Sequence, residues 1–73
     1  MENQCTIFAD FNNADYKGRI RLNTSGTLED LQRKNLKLEA GLKVILDDAD
    51  ELTALATVEY SDDERIWVAR LSQ

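Results

Sequence analysis

"LKVILDDADELTALATVEYSDDERIWVARL", residues 42–71, decides the fold, because apolar residues occupy alternate positions over most of its length. Alternation of this kind is typical of β-strands that bury one face. Two polar, acid-rich segments interrupt the pattern, at 47–51 and 61–64, and we interpret both as hairpin loops. The stretch therefore predicts a meander of three antiparallel strands.

The lengths of the two loops, five and four residues, set the predicted strand register. The predicted pairs on one face are Leu46–Leu52, Val44–Ala54, Leu42–Ala56, Val58–Trp67, Ala56–Ala69 and Ala54–Leu71. Every one of these pairs is apolar, so the two loop lengths agree with a common buried face. Ala54 and Ala56 are small, and we expect Trp67 to fill the space beside them.

The N-terminal half of the chain adds shorter elements. Residues 5–11 alternate like a strand, and residues 19–23 predict a second, half-buried strand. Thr27 has the form of a helix N-cap, and apolar spacing predicts a helix of about two turns near 28–35. Asn35 can end this helix in the left-handed conformation.

These elements predict a single small domain over residues 1–73, with residues 1–4 disordered. The composition, 42% hydrophobic and 32% charged, is that of a globular chain. We expect a mainly β fold: a small antiparallel sheet of four to five strands, bent or closed into a barrel, with one short helix near 28–35. A strongly bent sheet is the simplest way for so short a chain to bury one apolar face.

The segments "LEAGLKVILDD" (38–48) and "ATVEYSDDERIWVARL" (56–71) resemble the strand–turn–strand core of SH3-like small barrels. In those barrels a glycine-containing approach to a strand precedes a hairpin that carries an aromatic residue. The resemblance covers about half of the chain and implies an architecture only. The aromatic cluster of eukaryotic SH3 peptide-binding grooves is missing, so the resemblance does not imply proline-rich ligands.

Composition argues against catalysis. The chain has no His, which removes Ser-His and Cys-His arrangements. Its single Cys5 falls on the inward side of the first predicted strand, where a buried structural thiol is expected. We therefore expect no enzyme, no catalytic residue and no cofactor. One cysteine favours a reducing, cytoplasmic setting, and no apolar run reaches the roughly 18 residues that would predict a membrane partner.

The acidic clusters invite a metal hypothesis, which the spacing does not support. Counted from Asp48 as the first position of an EF-hand loop, Leu52 and Thr53 fall where an oxygen ligand and a glycine belong. The second cluster, 62–64, caps the other end of the strand that follows, up to roughly 30 Å away. We therefore predict no metal site and interpret both clusters as solvated hairpin tips.

Basic residues concentrate in one segment, although the whole chain carries a net charge of −5. Residues 17–43 hold seven bases and three acids, whereas residues 44–73 hold eight acids and two bases. A nucleic-acid-binding face is therefore an alternative hypothesis, disfavoured by the overall charge. Its candidate residues are Lys17, Arg19, Arg21 and Lys37.

The outward side of the predicted sheet is unusually apolar, and this favours protein–protein interaction. The candidate docking residues are Ile45, Leu55, Ile66 and Val68, with Lys43 and Arg70 beside them. Aliphatic side chains with a charged rim are typical of docking surfaces. We expect a protein partner or a second copy of the chain to bind here. The alternative is that the helix or the first strand covers this face as a second core layer.

Overall fold

A computed structural model describes residues 5–72, which form five strands and one helix. In chain order these elements are β1 (Cys5–Phe8), β2 (Ile20–Arg21), α1 (Ser25–Arg33), β3 (Lys43–Asp47), β4 (Thr53–Ser61) and β5 (Ile66–Leu71). The strands form one sheet in the order β1-β3-β4-β5-β2. The disorder predicted for residues 1–4 concerns a segment outside the described residues. Within residues 5–72, no helix has the length and apolar character needed to cross a bilayer.

The prediction of a mainly β domain with one short helix is confirmed. The sheet is mixed, because β1 runs parallel to β3 while the other neighbours are antiparallel. An all-antiparallel sheet is therefore wrong at β1. A parallel neighbour needs a long connection, and residues 9–42 provide one that contains β2 and α1. Over the described residues the sheet is not closed, since β1 and β2 lie at opposite edges.

In both hairpins the loop begins and ends one residue later than predicted, so the pairing of the two strands is shifted by two residues. The last pair before the first loop is Asp47–Thr53, so the loop is 48–52 and Val44 lies opposite Ala56. The last pair before the second loop is Ser61–Ile66, so the loop is 62–65. The loop lengths of five and four were predicted correctly, but their positions were not.

Side chains inside the turns explain the shift. Asp48 accepts hydrogen bonds from three backbone N–H groups of its own loop, which holds the turn one residue later than predicted. Ser61 accepts a hydrogen bond from the Glu64 N–H at 3.3 Å. Ala49 and Arg65 adopt positive φ angles of 65° and 59°, which reverse the chain in the two loops.

The core lies on one side of the sheet, which we call the inner face. Its fully buried strand residues are Ile7, Val44, Leu46, Ala56, Val58 and Ala69. Leu31 of α1 and Leu36, Leu38 and Leu42 after it pack against this cluster. Trp67 lies opposite Tyr60, with ring centroids 5.1 Å apart, and not opposite Val58 as predicted. It therefore packs near the end of the inner face and not beside Ala54.

Helix α1 begins and ends with side-chain and backbone caps. Its N-cap is Thr24 and not Thr27, and the Thr24 hydroxyl accepts a hydrogen bond from the Thr27 N–H. At the other end Asn35 has a φ of 53°, as expected for the predicted left-handed cap. The Leu36 N–H donates to the Leu31 carbonyl at 2.9 Å, which completes a Schellman motif.

Helix α1 lies against the edge strand β1 and occupies its free hydrogen-bonding groups. The Phe8 N–H donates to the Asp30 carboxylate at 2.9 Å, and the Thr27 hydroxyl donates to the Phe8 carbonyl at 2.8 Å. The Lys34 ammonium donates to the Thr6 carbonyl. A side chain at Gly26 would lie 2.8 Å from the Phe8 ring, so the glycine permits this close approach.

Gly41 sets the start of β3 and thereby the direction of its side chains. The Leu42 N–H donates to the Glu39 carbonyl at 3.1 Å, closing a turn whose third residue is Gly41 at a φ of 92°. Such a turn requires positive φ at this position, which glycine adopts without strain. Gly41 and Leu42 both bond to Val58, which is the pattern of a glycine bulge. After the bulge, Lys43 points away from the core.

Candidate interaction surface

The outer face of the sheet, opposite the core, carries a set of neighbouring side chains on β3 and β4. In the middle row Ile45 lies directly opposite Leu55, and Thr6 of β1 lies beside Ile45. The flanking rows hold Lys43, Thr57 and Arg70 on one side and Asp47 and Thr53 on the other. We call these eight residues the outer strip.

The outer strip is accessible to solvent. Leu55 keeps 49% of its surface exposed, and its neighbour Ile45 is half-buried. Helix α1 contacts β1 at the edge of the sheet and makes no comparable contact with β3 or β4. Strand β1 lies in the plane of the sheet beside β3 and not over it. The hypothesis of a second core layer is therefore wrong for the Ile45–Leu55 pair.

Two of the predicted docking residues do not belong to the outer strip. Val68 lies between Glu59 and Arg21 in its row and has no exposed surface. It is a buried residue and is removed from the docking candidates. Ile66 is half-buried opposite Ser61, and the row that contains Val68 separates it from the outer strip. The predicted patch of four aliphatics is thus split, and only its Ile45–Leu55 half is continuous.

Ion pairs cover the other half of the outer face. We call this group the ion-pair cluster; it consists of Asp15, Arg19, Arg21, Glu59, Glu64 and Arg70. Arg19 bridges Asp15 (Nε to Oδ2, 2.9 Å) and Glu59 (Nη1 to Oε1, 3.2 Å). Arg70 binds the second oxygen of the Glu59 carboxylate. These contacts tie β2, β4 and β5 together across the row that contains Val68.

The bond between Arg21 and Glu64 is the most complete contact of the cluster. Arg21 donates through Nε at 2.7 Å and through Nη2 at 2.8 Å, one hydrogen bond to each carboxylate oxygen. Paired bonds of this kind are stronger than single ones and fix both side chains. The hydrogen bonds from Arg21 hold the pKa of the Glu64 carboxyl below its ordinary value.

Asp15 organises the tight turn that presents Arg19. Its carboxylate accepts hydrogen bonds from the backbone N–H groups of Lys17 and Arg19 at 2.9 and 2.8 Å. Burial raises the pKa of the Asp15 carboxyl, but these N–H groups and the Arg19 guanidinium lower it more. The net result is a pKa below the ordinary value and a carboxylate that stays ionised.

The four basic residues of the nucleic-acid hypothesis are not brought together as free charges. Arg19 and Arg21 are engaged by carboxylates, and the Arg19 side chain is only 11% exposed. Lys17 is exposed in the turn before β2, with its Nζ 5.6 Å from the centre of the Tyr16 ring. Lys37 is exposed in the segment after α1, which packs at the opposite edge of the sheet. This arrangement offers no row of cations to a phosphate backbone.

At the acidic hairpin tip, the Asp48 carboxylate stabilises the turn in which it lies. Asp48 accepts N–H groups of Asp50, Glu51 and Leu52 at 2.9, 3.2 and 3.1 Å. The first two causes of the lowered pKa of Asp48 are the N–H groups of Asp50 and Leu52. Among residues 5–72, no cluster of three or more carboxylate or thiol groups has the geometry to hold a metal ion.

Hollows interrupt the surface of the described residues. A cleft of about 230 Å³ lies between β1 and α1, lined by Asp30, Arg33, Lys34 and Asp47 among others. Burial raises the pKa of Asp30, but the Phe8 N–H and Lys34 lower it more, so this carboxyl stays ionised.

An open apolar depression of about 390 Å³ lies at the end of α1 beside Leu31 and Leu36. Within the described residues, every buried side-chain polar atom has a hydrogen-bond partner.

Asp47 is the charged member of the outer strip that sequence reasoning missed, because it was assigned to the hairpin loop. It is paired with Thr53 and lies on the same side of β3 as Lys43 and Ile45. The signal is present in "KVILD" (43–47), where positions 43, 45 and 47 alternate outward. Asp15 was also missed, since a carboxylate in a turn gives no sequence sign of burial.

Comparisons of the chain with protein families, with curated proteins and with solved structures find no match. The resemblance to SH3-like barrels therefore stays a prediction, and the functional argument depends on the surface itself.

Proposed function

We propose that this protein is a small, cytoplasmic, non-catalytic interaction module that binds a protein through the outer strip. The observation that carries the proposal is the Ile45–Leu55 pair on an uncovered sheet face, in which Leu55 is exposed and Ile45 is half-buried. Burying aliphatic surface of this kind favours association by about 25 cal/mol per Å² of apolar area. Threonines and three charged side chains, Lys43, Asp47 and Arg70, surround the pair, which is the arrangement of an apolar centre within a polar rim.

The polar groups of the molecule support a non-catalytic role. The two most buried carboxylates, Asp15 and Asp30, are each saturated by backbone N–H groups and cations that hold turns and edges in place. A general base needs a carboxylate that is free to accept a proton from a substrate. Neither carboxylate meets this condition.

Leu55→Asp tests the proposal, and Leu28→Asp is its matched control. Leu28 lies on α1 and is 53% exposed, close to the 49% of Leu55. Both substitutions add one charge at an exposed leucine, but only Leu55→Asp changes the outer strip. Immobilised wild-type protein and Leu28→Asp should retain the same partner from a native extract, and Leu55→Asp should lose it. Circular dichroism and thermal melting should show all three proteins folded.

Two outcomes would contradict the proposal. If Leu55→Asp unfolds the protein, the residue is part of the core and not of a docking surface. If Leu55→Asp and Leu28→Asp bind alike while both remain folded, the outer strip is not the surface that is used.

A further inference from the structure

The outer strip carries charges of opposite sign in a defined order along β3. Along β3, Lys43, Ile45 and Asp47 point to the same side, so a cation, an aliphatic group and an anion follow one another. Lys43 and Asp47 make no ion pair with any residue of the described part of the chain. Two opposite charges, each without an ion pair in the described part of the chain, therefore flank the apolar pair, about 13 Å apart at 3.3 Å per residue. Asp47 also lines the cleft that holds Arg33 and Lys34.

We propose that the occupant of the outer strip is a second copy of the same chain, a refinement that rests on the proposed function. A twofold axis that lies in the interface and runs along the Ile45–Leu55 row stacks the two sheets face to face with β3 strands antiparallel. Lys43 of each copy then lies over Asp47 of the other, twice, with the aliphatic pairs in contact at the centre. A twofold axis along the strands would place Lys43 over Lys43 and is disfavoured by repulsion.

Two dimensions describe such a dimer: the area that a standard interface buries and the distance between the packed sheets. A standard interface takes about 800 Å² from each partner, roughly a sixth of the 4999 Å² that this molecule exposes. Sheets that pack face to face lie about 10 Å apart, which brings side chains of the two strips into direct contact. Threonines at positions 6, 53 and 57 are short enough to allow this approach around the Ile45–Leu55 pair.

Charge reversal with complementation tests the arrangement. Lys43→Glu and Asp47→Lys each replace two attractions across the axis by two repulsions, so each variant alone should dimerise about tenfold more weakly. An equimolar mixture should form the heterodimer. In it, the carboxylate introduced at position 43 of one variant faces the ammonium introduced at position 47 of the other, and the native Lys43–Asp47 contact returns on the second side.

Sedimentation velocity and native mass spectrometry measure the weakening of each variant alone and the recovery in the mixture. The wild type and Leu28→Asp should dimerise, and Leu55→Asp should not.

A second variant controls for the local turn, since Asp47 also accepts the Ala49 N–H at 2.8 Å. Asp47→Asn keeps an acceptor and removes the charge, and it should weaken the dimer less than Asp47→Lys does. The double variant Lys43→Glu/Asp47→Lys in one chain should regain dimerisation.

The results separate this inference from the proposed function. If the wild type is monomeric at high micromolar concentration while extract binding still depends on Leu55, the outer strip binds a different protein. The inference then fails and the proposed function stands. If the wild type dimerises but the mixture of charge variants does not recover, the twofold arrangement is wrong. If neither dimerisation nor extract binding depends on Leu55, both fail.

Discussion

Both halves of the outer face carry outward aliphatic side chains, but these side chains are accessible on one half and buried on the other. On the β3–β4 half, Ile45 and Leu55 stay accessible between Lys43 and Asp47, which make no ion pair within the described chain. On the β2–β5 half, Val68 is an aliphatic at an equivalent outward position, yet it is fully buried. The difference lies in the neighbours, because arginines of β2 and of the turn before it bind carboxylates of β4 and of the β4–β5 loop beside Val68.

An outward aliphatic residue on this face is therefore buried or exposed according to whether its neighbours reach over it. Long arginine side chains shield apolar surface with their alkyl stems while their charged ends form ion pairs. Threonines are too short to do so, and the Ile45–Leu55 pair therefore remains open. The three predictions below test this contrast, from the largest expected effect to the smallest.

Val68→Asp should lower the free energy of unfolding by about 3–5 kcal/mol, because it buries a further carboxylate beside Glu59, where Arg19 and Arg21 are already bound by other carboxylates. Leu55→Asp, the same change on the open half, should cost less than about 1 kcal/mol. Urea unfolding followed by circular dichroism measures both. Equal costs would mean that the two halves of the face do not differ in burial.

Acidification should destabilise the ion-paired half. The folded-state pKa values of Asp15 and Glu64 lie below their ordinary values, so the unfolded chain binds more protons as pH falls. Stability should be constant above the ordinary carboxyl pKa of about 4 and decrease below it. Asp15→Asn should lose about 1–2 kcal/mol at neutral pH and show a shallower acid decline.

Urea midpoints measured from neutral pH downward follow this effect. Asp50→Asn, a change at the exposed hairpin tip, is the control for removing one carboxylate away from the ion-paired half. An Asp15→Asn decline as steep as that of the wild type would show that the Asp15 carboxylate adds nothing to acid sensitivity.

Arg21→Ala should cost about 1 kcal/mol, since it removes two hydrogen bonds to Glu64 and part of the cover beside Val68. Lys43→Ala, on the open half, should change the free energy of unfolding by less than about 0.5 kcal/mol. Thermal melting compares the two at a concentration where the protein is monomeric. A larger loss for Lys43→Ala would mean that Lys43 has a structural partner.

The sequence was sufficient for the faces of the meander but not for its register. A shift of two residues between strands leaves every side chain on the same face, so alternation cannot distinguish the predicted Val44–Ala54 pair from the observed Val44–Ala56 pair. The hydrogen bonds of Asp48 and Ser61 decide between them. The direction of β1 was equally hidden, because alternation over 5–8 is the same for parallel and antiparallel neighbours.

The candidate site was predictable only where it depends on strand alternation. The outward direction of Ile45, Leu55, Lys43 and Arg70 follows from the pattern and is confirmed. The burial of Val68 depends on Arg21, whose partner Glu64 is 43 residues away in sequence. No local pattern could show such a contact.

The side chains of α1 that occupy the β1 edge limit how large an assembly of this protein can become. An open sheet grows by adding strands at its edges, and each added strand creates a new edge. Here Thr27, Asp30 and Lys34 already hold the hydrogen-bonding groups of β1, and Asn13 holds the Arg21 N–H at the other edge. In the dimer proposed above, the outer strip is occupied by one partner, and the occupied groups at the two edges do not favour adding further strands to the sheet.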